Sequence, residues 1–69
     1  MNVIASERVR LGLSQQDLAD ELGLRSRQAV AAYEADSGTI PAAKLVAMTR
    51  LFGCSADYLL GLTDRRTVA

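Results

Sequence analysis

Two neighbouring side chains, Arg27 and Gln28, hold the chemistry in this sequence that is easiest to specify. A guanidinium offers parallel N–H donors and a carboxamide offers a donor beside an acceptor, so each can make two hydrogen bonds to one planar edge. On a base pair those edges are O6/N7 of guanine for Arg and N6/N7 of adenine for Gln, each pairing contributing about 1–3 kcal/mol of discrimination. Further along the same segment, the methyls of Ala31 and Ala32 either meet a thymine methyl or serve as good helix formers on a water-facing side. Gln15 opens the preceding helical pattern, where unpaired amides in a positive field suit a phosphate oxygen; the other reading is an ordinary exposed side chain. Arg25 either reaches the same phosphate backbone or stays in solvent. Nothing comparable points to catalysis. With no His, one Cys and no clustered carboxylates, neither an activated nucleophile nor a metal cage is available, and no cofactor or small-molecule ligand is expected.

Positioning two adjacent side chains requires elements, and the spacing of apolar residues predicts five helices and no strand. The first runs from about Val3 to Leu11, with Ile4, Arg8 and Leu11 on one stripe and Gly12 as its stop. In "LSQQDLADELG", Ser14 reads as an N-cap with Asp17 returning a capping-box bond, Leu18, Ala19 and Leu22 form the buried stripe, and Gly23 closes the helix. Ser26 then caps a third segment in which Val30 and Tyr33 point inward while Arg27, Gln28, Ala31, Ala32 and Ala35 share the other side. After the loop "ADSGT", Ile40-Pro41 opens a fourth helix with an apolar face of Leu45, Met48, Leu51 and Phe52, stopped by Gly53. Ser55 caps a short fifth helix from which Tyr58, Leu59 and Leu60 pack back.

Size and composition agree with one small all-α domain. At 69 residues a single core is only just sufficient, and 49% apolar residues with 4% aromatic imply one built of Leu, Val and Ala. No run approaches the ~20 apolar residues of a membrane span, so no membrane partner and a reducing cytoplasmic setting are expected. Lys plus Arg number 8 and Asp plus Glu number 8, so bulk charge lends no support to a polyanionic partner.

"GLSQQDLADELG", "SRQAVAAYE" and "IPAAKLVAMTRLFGCSADYLLGLTD" occur in that order, and together they resemble the helix-turn-helix family of lambdoid-phage repressors and Cro proteins, the XRE family. The resemblance runs from about Ile4 to Asp64. It implies a compact five-helix, lambda-repressor-like domain over residues 1–64 with a polar tail at 65–69, and a recognition helix from Arg27 to about Ala35. It also implies an ion pair of Arg8 with Glu34 joining the first helix to the end of the third, and phosphate contacts near Gln15, Arg25, Ser26 and Ser37. Three departures stand out. "GLRS" carries one residue more than the usual turn, the loop "ADSGT" has Asp36 and no Lys or Arg, and the recognition helix ends in alanines.

The expected function is a sequence-specific regulator of transcription, repressing from a pseudo-palindromic operator on double-stranded DNA as a homodimer joined near Leu59 to Thr63. The alternative is a protein-interaction module on the same scaffold, antitoxin-like or a phage-encoded modulator, with a protein partner and little DNA binding. Enzymatic activity is not expected.

Overall fold

In the computed structural model, which describes residues 2–36 and 39–67, five helices follow one another with no strand among the described residues. They are α1 (Val3–Arg10), α2 (Gln15–Leu22), α3 (Arg27–Glu34), α4 (Ala42–Phe52) and α5 (Ala56–Leu59). Local chemistry explains most of these limits. The Asn2 carboxamide oxygen accepts from the Ala5 N–H at 3.0 Å and starts α1. Ser14 and Asp17 exchange two bonds at the head of α2, Ser14 Oγ accepting at 3.0 Å from Asp17 N–H and Asp17 Oδ2 accepting at 2.9 Å from Ser14 N–H. Those bonds hold the exposed Asp17 carboxyl below its ordinary value. Ser55 Oγ accepts from Tyr58 N–H at 3.1 Å and starts α5. Gly23 and Gly53 end α2 and α4 at φ of 66° and 68°, a left-handed conformation in which a side chain would be strained.

The amphipathic faces meet in one core. α2 contributes Leu18, Ala19 and Leu22, α3 contributes Val30 and Tyr33, α4 contributes Met48 and Phe52, and Ile4, Cys54 and Leu59 close it. Each large side chain removed from water stabilises the bundle by roughly 1.5–3 kcal/mol, which is how so short a chain holds together. Lys44 donates from Nζ to the Leu22 carbonyl at 2.7 Å and so satisfies the C-terminal end of α2. Among the described residues no helix is long and apolar enough to cross a membrane.

Five sequence expectations change. Leu11 lies beyond the last residue of α1 at 38% exposure, because the turn at Gly12 begins before it can reach the inward stripe. Leu60 is 49% exposed because α5 ends at Leu59. Pro41 is the N-cap of α4 and not its first helical residue. Ser26 occupies the N-cap of α3, but its hydroxyl makes no capping bond. Its φ of −156° differs from the −76° of Ser14, and this more extended backbone turns the side chain away from the amides ahead of it. Finally, Arg66, in the segment expected as a polar tail, folds back onto α1 and pairs with Glu7 at 2.6 Å.

Candidate nucleic-acid interface

α3 is held by one face and open on the other. Val30 is fully buried and Tyr33 is 7% exposed, whereas Arg27 and Gln28 at its N-terminal end are both exposed. Neither of their side chains bonds to any described residue. Core packing of Val30 and Tyr33 fixes the rotation of the helix, and that rotation points the adjacent guanidinium and carboxamide away from the protein. Ala31 and Ala32 are half-buried and Ala35 is exposed, so the outer face narrows to small side chains beyond the first turn. A surface with long donors at one end and methyls behind them has the shape that major-groove reading requires.

The far end of α3 is tied to two other helices through one carboxylate. Glu34 Oε2 accepts from Arg8 Nε at 2.6 Å, and Oε1 accepts from Arg8 Nη2 at 3.4 Å and from Gln15 Nε2 at 3.1 Å. Arg8 also donates from Nη1 to the Leu13 carbonyl at 2.7 Å, which fixes the α1–α2 turn. The Arg8 and Glu34 side chains keep 15% and 11% of their exposure, so this is a mostly buried network in which every partner needs the others. Asn2, unremarked in the sequence reading, adds a second tie: its Nδ2 donates to the Tyr33 carbonyl at 2.8 Å and to Asp36 Oδ1 at 3.3 Å. An Asn directly before an apolar periodic segment is a helix-start signal, so its capping role was open to sequence reasoning; its reach to α3 was not.

The candidate phosphate contacts are dispersed. Gln15, half-buried, has one amide hydrogen on Glu34 and a second that remains, since a carboxamide carries two. The Ser26 hydroxyl and the exposed Arg25 side chain make no bond to a described residue, and both lie in the turn between α2 and α3. Ser37 lies outside the described residues. Asp17, Asp20 and Glu21 are exposed along α2, and Gln16 Nε2 donates to Asp20 Oδ1 at 2.9 Å. The turn itself is built tightly: Leu24 N–H donates to the Ala19 carbonyl at 2.8 Å and Leu24 packs on the core, so Arg25 lies just beyond an anchored residue. Among the described residues no group of His, Cys, Asp and Glu is placed to hold a metal ion.

This arrangement of α2 and α3 coincides with a known pattern. The family described as Helix-turn-helix matches residues 4–59. Over 52 residues the chain is 42% identical to an uncharacterized HTH-type transcriptional regulator, YobD, of Bacillus subtilis (strain 168), a match covering 75% of this chain and 46% of that protein. The chain thus spans about half the length of the curated relative it matches. No solved structure matches it.

Proposed function

The chain belongs to the XRE-type helix-turn-helix family, and on that premise we propose that it is a DNA-binding regulator of transcription that reads an operator with α3. The observation that carries this reading is the exposure of Arg27 and Gln28, without partners among the described residues, at the start of a helix whose opposite face is locked into the core. α3 would lie in the major groove with Arg27 on a guanine and Gln28 on an adenine, Ala31 and Ala32 against thymine methyls, and Gln15, Arg25, Ser26 and Ser37 near phosphates. The Glu34 network would hold α1, α2 and α3 as one rigid reading head.

Two copies would bind a pseudo-palindromic site with their recognition helices about 34 Å apart. The exposed apolar residues Leu60 and Leu62, at 49% and 73%, sit just after α5 and suit contact with a second copy. Repression follows where the site overlaps a promoter, and the work is done in the cytoplasm without catalysis. Selection of bound duplexes from a random pool tests the reading: enrichment of a two-fold-related sequence is expected, and an unselective pool would overturn it.

A net charge of zero and the exposed acidic side chains of α2 favour a second reading, a protein-interaction module. Co-purification with a protein partner and no DNA shift at low salt would select it over operator binding.

A further inference from the structure

Among the described residues Glu7 is the one charged residue in the buried set, at 4% exposure, and it faces the corner where α1, the end of α4 and the segment after α5 converge. Arg66 enters this corner from the C-terminal side. Its Nε donates to Glu7 Oε1 at 3.0 Å and Oε2 at 3.2 Å, its Nη2 to Glu7 Oε1 at 2.6 Å and to the Phe52 carbonyl, and its Nη1 to the Gly53 carbonyl at 3.3 Å. Its own carbonyl accepts from Ser55 N–H at 2.9 Å. We propose that Glu7 together with the Phe52 and Gly53 carbonyls is a guanidinium-binding site, and that Arg66 is its internal, displaceable ligand, which makes residues 62–67 a latch on the bundle.

Three features carry the assignment. All the guanidinium nitrogens of Arg66 find acceptors spread over a carboxylate and two carbonyls, a fan that a planar fork fills and a single ammonium cannot. The two carbonyls belong to the C-terminal end of α4, whose dipole favours a cation there. Arg10 also donates to Glu7 Oε1, at 3.2 and 3.1 Å, and to the Phe52 carbonyl at 3.0 Å. Because Arg10 remains when Arg66 leaves, opening the latch strands no buried charge, so the second guanidinium is exchangeable where a sole partner would not be. The latch lies outside the residues 4–59 that carry the family pattern.

Cys54 reports on this latch. It is 8% exposed, lies between Gly53 and Ser55, which both bond to Arg66, and its thiol is pushed up by burial. The test is the rate of Cys54 labelling by a disulfide reagent in the full chain, in its Arg66→Ala variant, and in that variant with N-methylguanidinium or methylammonium at equal ionic strength. Labelling through a local opening scales with the open population, so Arg66→Ala should react at least about tenfold faster while its helix content stays native. N-methylguanidinium at tens of millimolar should slow the variant and leave the wild type unchanged, since the tethered Arg66 already fills the site. Methylammonium should do neither. Wild-type labelling rates in Arg66→Ala, or equal action of the two cations, would overturn the proposal. If Arg66→Ala does not fold, Arg66→Lys serves: it retains the charge without the fork, so labelling severalfold faster than wild type is expected, and a wild-type rate would equally overturn it.

Discussion

Glu34 accepts from Arg8 and Gln15, and so one carboxylate secures the position of α3 relative to both helices that precede it. Removing it leaves a mostly buried guanidinium without its counter-charge, and Glu34→Ala should lower stability by about 3 kcal/mol in urea unfolding. Replacing Arg8 and Glu34 together by apolar residues should recover part of that loss. A Glu34→Ala midpoint equal to wild type would remove the network from the account. Glu7 makes a different, pH-dependent prediction. Hydrogen bonds from Arg66 hold its carboxyl below the ordinary glutamate value, with Arg10 adding to the effect and burial opposing it. The unfolded chain therefore binds the proton more readily, so the contribution of Glu7 is fully present above the usual carboxylate range and is lost as pH falls below about 4. Asp17 acts in the same direction through its capping box. A Tm-versus-pH comparison isolates Glu7: Glu7→Gln should be less stable at neutral pH and should lose less than wild type on acidification, whereas parallel curves would contradict this.

At the scale of helices, three serines at helix starts look alike in sequence and differ in what they do. Ser14 and Ser55 accept from amides three residues on, while Ser26 accepts from none. Ser14→Ala should therefore cost about 1 kcal/mol, and Ser26→Ala should stay within about 0.5 kcal/mol of wild type in the same denaturation assay. Equal losses at both sites would show that the Ser26 hydroxyl does cap α3 in solution. The contrast also marks how far a sequence can be read. Apolar spacing located all five helices and the inward residues Leu18, Leu22, Val30, Tyr33, Met48 and Phe52, because periodicity is a local property written along the chain. The outward placement of Arg27 and Gln28 followed from the same spacing. The bonds of Lys44 to Leu22, Asn2 to Tyr33 and Arg66 to Glu7 did not, since their partners are separated by 22, 31 and 59 residues and depend on how the helices pack. Leu11 and Leu60 were misplaced for a related reason: each stands one residue past its helix, where the periodic rule no longer applies.

The whole molecule combines the exposed Arg27–Gln28 face of α3 with a surface that is not basic overall, and this sets how it would hold DNA. Only Arg25 among the proposed phosphate contacts is a cation, and cationic contacts are the ones that release counterions. The slope of log affinity against log salt should accordingly be shallow, no steeper than about −2 per protomer, so specificity would rest on base contacts and on pairing of two copies. A monomer both free and on DNA, measured by light scattering at micromolar concentration, would reject the pairing. Presentation of Arg27 to a base edge by α3 is tested by position-resolved competition on the selected duplex, wild type against Arg27→Ala. The variant should lose about 10- to 100-fold preference at one position of each half-site and retain preference elsewhere. An unchanged base preference in Arg27→Ala, with affinity altered equally for every sequence or not at all, would contradict it.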